Sequence, residues 1–141
     1  MVVKKDQLKT PLAGVIYGGI VYWGVLAGSL IVIIGSVLAF LGDNFVPVSY
    51  WLSTVWQGES VSQIWQGATG SLPMGHWYLS HLTTGDGLSA LGISVAVFSV
   101  VPALFLSSAA LFKERDWVYG SLACVAGVIV MIGVLGLISV T

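Results

Sequence analysis

Charged side chains are scarce in this chain. They make up 8% of its 141 residues, whereas 57% are hydrophobic, and an ordinary soluble domain carries about 25% charged residues. A soluble fold with so few charges could not cover its surface, but a lipid-facing surface needs none. The net charge is only −1, so the sequence predicts no nucleic-acid partner. The composition predicts a membrane protein.

Ionisable residues are missing from the long apolar runs, and cysteine occurs once. Proton relays, ion paths and bis-histidine haem sites inside membranes are built from ionisable residues, and no charged residue or histidine lies within these runs. Cys124 has no intrachain disulfide partner and is typical of a small buried hydrophobe. The chain is therefore not expected to be an enzyme on its own.

Three runs are long enough to cross a hydrocarbon core of about 30 Å, which needs about 20 residues in a helix. They span roughly residues 15–41, 87–112 and 117–140. The third follows the second so closely that the two must form an antiparallel hairpin. Pro102 should kink the second helix and free a carbonyl near Phe98. The predicted fold class is an all-α integral membrane protein of one domain, residues 1–141, with three transmembrane helices.

The distribution of lysine and arginine predicts the orientation. No lysine or arginine occurs in residues 42–86, and cytoplasmic segments are enriched in these residues. The long loop and the C-terminus are therefore expected outside, and the N-terminus inside, a prokaryotic cytoplasmic membrane. All five basic residues lie in the segments expected in the cytoplasm: Lys4, Lys5, Lys9, Lys113 and Arg115.

The loop 42–86 shows signals for two short helices. Pro47 is suited to a helix start and precedes apolar residues at helical spacing. Ser60 and Gln63 fit a capping box for a second helix, which we expect to stop at Gly67. With their tryptophans, these helices are expected to lie in the lipid headgroup region, to pack on another subunit, or both.

Small residues form stripes along the long helices. Such stripes let helix backbones approach closely, either within this chain or against a neighbour. In the first helix, Gly24, Gly28, Gly35 and Ala39 fall within about 60° of one another. The second helix has one continuous stripe, made of Ser89, Gly92, Ala96, Ser99, Ala103, Ser107 and Ala110.

His76, Tyr78 and His81 lie close to the start of the second long helix. They could line a quinone headgroup pocket, cap a haem held by a partner subunit, or form hydrogen bonds at the interface. The two histidines lie about 140° apart at helical spacing, so we predict no metal site. Asp86, between Gly85 and Gly87, is suited to cap the second helix, where asparagine would serve nearly as well.

The C-terminal half resembles a family of small prokaryotic three-helix membrane proteins, domain-of-unknown-function family 1634. The resemblance covers roughly residues 85–137, and the family tends to carry an arginine after the mid-helix proline, where this chain has apolar residues. It implies an N-terminal span followed by a helical hairpin and implies no activity. The matching residues are Gly85-Asp86-Gly87, Pro102, Glu114-Arg115-Asp116 and Tyr119.

These features predict a non-catalytic small subunit of a multi-subunit membrane complex, in the first instance a respiratory or electron-transfer assembly. The small-residue faces and the tryptophan-rich loop would stabilise a catalytic partner. The expected partners are other membrane subunits and the lipid bilayer. No cofactor is expected on this chain alone, although partner subunits could hold haem or quinone. The alternative is an accessory or component of a membrane transporter or permease.

Overall fold

The computed structural model describes residues 10–73 and 75–136, and over these ranges the chain is helical with no β-strand. Three long apolar stretches account for most of it. A 3-10 turn, Trp77–Ser80, precedes the second of them. The α-helices are α1 (Leu12–Phe40), α2 (Val48–Trp56), α3 (Val61–Thr69), α4 (Gly85–Phe98), α5 (Val100–Lys113) and α6 (Trp117–Val134).

Three stretches are long and apolar enough to cross a membrane, as predicted. They are Leu12–Phe40, Gly85–Lys113 and Trp117–Val134. Residues 137–140 of the predicted third span, and Lys4, Lys5 and Lys9, lie outside the described residues.

The second stretch is interrupted at Ser99, between α4 and α5. Pro102 has no N–H to donate to the carbonyl of Phe98, four residues earlier. Ser99 keeps helical dihedral angles (φ −60°, ψ −23°), but its carbonyl accepts a long bond of 3.4 Å from Ala103. The proline therefore interrupts the helix where the sequence predicts, without reversing the chain.

The described residues divide into two compact units, and the first contains residues 10–25 and 96–136. Its centre is the hairpin of α5 and α6. The Ser108 hydroxyl donates to the Gly120 carbonyl across the hairpin (2.7 Å), and the Ser107 hydroxyl donates to the Ala13 carbonyl of α1 (2.9 Å). Buried serines thus join these helices through backbone oxygens. Arg115 turns the chain with φ +64°.

The second unit, Leu26–Val95, joins the C-terminal half of α1 to the start of α4 by close backbone approach. A side chain on Gly92 would lie 2.6 Å from the carbonyl oxygen of Gly28 and 2.8 Å from the backbone nitrogen of Val32. At Gly85 a side chain would overlap the backbone of Ala39. These positions tolerate only glycine because the neighbouring atoms belong to another backbone.

The remaining small residues of the predicted stripes also lie on protected faces. A side chain on Gly24 would overlap Ser99, and one on Gly35 would meet Ser89. Ala103 is fully buried and Ala96 half-buried, whereas Val97 on the other side of α4 is 47% exposed.

The long loop contains the two predicted short helices. Pro47 occupies the N-cap position of α2, and the capping box of α3 is present: the N–H of Ser60 donates to Gln63 Oε1 (2.9 Å) and the N–H of Gln63 to Ser60 Oγ (3.4 Å). The predicted stop at Gly67 is wrong. α3 continues to Thr69 and ends at Gly70, whose φ of +74° suits glycine. Gly67 instead makes room for the hydroxyl of Tyr50 on α2.

Candidate functional site

Aromatic rings from distant parts of the loop meet in one group, which we call the aromatic cluster: Phe45, Trp51, Trp65, Trp77, Tyr78 and His81. Trp77 lies at its centre. The Trp77 ring centroid is 4.9 Å from that of Trp65 and 5.9 Å from that of Phe45, and Trp65 lies 5.9 Å from Trp51. Two of these three pairs, Trp65–Trp77 and Trp51–Trp65, are edge-to-face, a geometry worth about 0.5–1.5 kcal/mol per pair beyond the buried area. The cluster therefore joins α2, α3 and the 3-10 turn.

Among the predicted site residues, His81 makes the shortest ring contact in the cluster. Its ring centroid lies 3.8 Å from that of Phe45 and 6.2 Å from that of Trp77. Its Nδ1 donates to the Trp77 carbonyl oxygen at 3.2 Å, because a carbonyl can only accept. In the neutral ring, Nε2 is then the acceptor nitrogen. The packing of His81 is thus explained by the loop itself.

His76 and Tyr78 lie at the edge of the cluster. The Tyr78 ring lies 6.4 Å from that of Trp77, and exposed His76 lies 5.9 Å from Tyr78. The structure therefore brings the three predicted cofactor-contacting residues into one ring network. Within residues 10–73 and 75–136, no group of three or more His, Cys, Asp or Glu side chains is arranged to hold a metal ion.

Asp86 connects the two ends of the loop. Its Oδ1 accepts the N–H of Phe45 at 2.9 Å and that of Gly87 at 3.0 Å, and its Oδ2 accepts the N–H of Val46 at 3.0 Å. The N–H of Gly85 donates to the Asp43 carbonyl at 2.6 Å. We call these four bonds the Asp86 clasp. A carboxylate that accepts several N–H groups makes strong, charge-assisted bonds, so the clasp fixes the exit of α1 beside the entry of α4.

The predicted role of Asp86 as the cap is corrected. α4 begins at Gly85, so Thr84 occupies the cap position, and its hydroxyl accepts the N–H of Gly87 at 3.3 Å. Asp86 lies within the first turn, where its charge still complements the helix dipole. The cap, Thr84, immediately precedes the Gly85-Asp86-Gly87 motif, because the helix begins at Gly85 and not after Asp86.

Sequence reasoning missed Phe45 as an organising residue. Phe45 presents its N–H to Asp86, 41 residues away, and its ring to His81. No local pattern marks such a residue, because both contacts depend on the closure of the loop. The aromatic density of residues 45–78 was the only available signal.

Over the described residues the chain is helical, and its three long apolar stretches are typical of multi-pass membrane proteins. Its sequence matches a protein-family model over residues 13–137, and the chain belongs to that family. The matched residues extend through all three long stretches and are not confined to the C-terminal half.

Two relatives are uncharacterised proteins of Archaeoglobus fulgidus. One is 28% identical over 115 residues, which cover 79% of this chain and 75% of the relative. The other is 25% identical over 144 residues and covers 96% of each chain. No solved structure matches this chain.

Proposed function

We propose that this protein is a non-catalytic small subunit of a multi-subunit membrane complex. The proposal includes its placement: three crossings of a prokaryotic cytoplasmic membrane, the N-terminus inside, the C-terminus outside, and α2 and α3 in the outer headgroup layer. The motif residues Gly85-Asp86-Gly87, Pro102 and Tyr119 support assignment of its family to domain-of-unknown-function family 1634.

The observation that carries the proposal is an unusual exposed face on α1. Tyr22 is 62% exposed and Trp23 68%, with their ring centroids 5.6 Å apart. One turn earlier, side chains added to Gly18 and Gly19 would meet nothing within 4 Å. We call these four residues the α1 aromatic face.

The α1 aromatic face lies near the middle of α1, where lipid would surround it at the centre of a bilayer. Trp23 lies within about 5 Å of the midpoint of the 29-residue helix, at a rise of about 1.5 Å per residue. Tryptophan and tyrosine favour the two interfaces of a bilayer. At mid-depth, lipid offers no partner to an indole N–H or a phenol hydroxyl. A helix of a partner subunit could supply that partner and fill the space in front of the glycines.

The electron-transfer character of the complex remains the prediction made from the sequence. Haem or quinone held by partner subunits would then be its cofactors. His76, Tyr78 and His81 are the residues of this chain proposed to approach such a group.

Purification from native membranes in mild detergent, with identification of the co-purifying chains, tests the proposal. We expect at least one further membrane protein at fixed stoichiometry, and we expect Gly18→Leu or Trp23→Leu to release it. Ala109→Leu, at an exposed position of α5, is the control and should leave the complex intact.

The outcomes separate the alternatives. Chains that carry haem or iron–sulfur centres would support an electron-transfer assembly, and a permease would support the transport alternative. Recovery of this chain alone, or loss of the partner equally in the control variant, would contradict the subunit role.

A further inference from the structure

Helix α2 has two chemically different faces. Its inner face carries buried Thr54 and half-buried Trp51, whose ring contacts Trp65 of α3. The opposite face is apolar and exposed. Its residues recur at helical spacing: Val48 (48% exposed), Leu52 (68%), Val55 (57%) and Trp56 (92%).

The tryptophans of the loop are therefore not equivalent. Trp51, Trp65 and Trp77 contact one another within the aromatic cluster, whereas Trp56 extends from the other side of α2. On α3, the exposed residues include polar Ser62, Gln63 and Gln66, and Val61 is its one large exposed apolar side chain. Of the two short loop helices, only α2 exposes several large apolar side chains on one face.

The Asp86 clasp fixes where α2 begins. The N–H of Val46 bonds to Asp86 in the first turn of α4, and α2 starts two residues later, at Val48. Two residues reach at most about 7 Å. If Gly85–Lys113 crosses a membrane, the start of α2 must then lie close to the membrane surface.

We infer that the face formed by Val48, Leu52, Val55 and Trp56 rests on the lipid bilayer, with Trp56 inserted among the headgroups, while the polar residues of α3 face the water. The inference depends on the proposed membrane placement of the long helices and not on the subunit role. Amphipathic helices bind bilayers through their buried apolar area together with basic residues that attract anionic lipid. Residues 42–86 contain no lysine or arginine, so the contact is apolar and requires no anionic lipid.

Site-directed spin labelling tests the inference. Single cysteines at positions 33, 52 and 66, in a Cys124→Ala background, would be labelled in the purified protein in phosphatidylcholine vesicles. Position 52 should be several-fold more accessible to oxygen, relative to a water-soluble nickel chelate, than position 66 on α3. Addition of anionic lipid or salt should not change the ratio.

Position 33 is an exposed isoleucine of α1. Its label distinguishes failure of the membrane placement from failure of the inference about α2. If position 33 is also accessible to the nickel chelate, the membrane placement is wrong. If position 33 is lipid-exposed but position 52 resembles position 66, the inference about α2 is overturned while the placement stands. A label at position 52 that neither reagent reaches would show a protein contact and would also overturn the inference.

A second measurement does not depend on labelled variants. Brominated phosphatidylcholine quenches tryptophan in contact with lipid. Trp56→Phe should remove part of the quenching seen in the native protein, whereas Trp51→Phe should leave that quenched part in place. Equal quenching with and without Trp56 would contradict the inference.

Discussion

The carboxylate of Asp86 accepts three N–H groups with two oxygens, and this geometry changes the expected effect of its conservative substitution. As a simple cap, Asp86 could be replaced by asparagine at little cost. In the clasp, an asparagine amide would offer only one acceptor oxygen. Its NH₂ group would then face the N–H of either Val46 or Phe45, so two donors would be opposed.

We therefore predict that Asp86→Asn destabilises the protein by about 1–3 kcal/mol, the cost of an unsatisfied donor. Thermal unfolding in mild detergent, followed by tryptophan fluorescence, measures the effect. Asp43→Asn is the matched control, because exposed Asp43 contributes its backbone carbonyl to the clasp. Equal melting temperatures for the two variants would show that an amide replaces the Asp86 carboxylate without cost, and would contradict the role of the charge in the clasp.

At the scale of elements, the close backbone contact between α1 and α4 leaves no room for a side chain at Gly92. A methyl group there would lie within 2.8 Å of backbone atoms of α1, and a backbone cannot move aside as a flexible side chain can. A side chain added to Gly133 of α6 would meet nothing within 4 Å. Gly133 is therefore a control for Gly92, because both glycines lie in helices and only Gly92 is in close contact.

Gly92→Ala should destabilise the protein by about 1–3 kcal/mol, as overpacking does. Gly133→Ala should be neutral or slightly stabilising, because alanine is the better helix former. The same unfolding assay compares them. A neutral Gly92→Ala variant would mean that α1 and α4 are not in close contact.

At the scale of the whole molecule, the distribution of basic residues predicts the orientation in the membrane. Single cysteines at positions 62 and 113, in a Cys124→Ala background, would be treated with a membrane-impermeant maleimide in intact cells. Ser62 is an exposed residue of α3 and lies outside the capping box of Ser60 and Gln63. We expect position 62 to react directly and position 113 only after permeabilisation, because basic residues favour the cytoplasmic side. The reverse pattern would refute the proposed orientation.

Much of the fold was predictable because its signals are local. The length of each apolar run, the break caused by Pro102 and the capping box of Ser60 and Gln63 depend on neighbouring residues only. The small-residue stripes were also visible, because helical periodicity places their members on one face.

The sequence by itself determined the helices, their apolar character and which of their faces are made of small residues, since each follows from composition and spacing along one element. Only the tertiary structure decided which side chains meet. Closure of the loop places Phe45 against Asp86 and His81. The cap of α4 is Thr84. Trp51, Trp65 and Trp77 pack in the aromatic cluster, whereas Trp56 is exposed. Contacts between residues tens of positions apart depend on packing and chain closure, and no local pattern in the sequence records them.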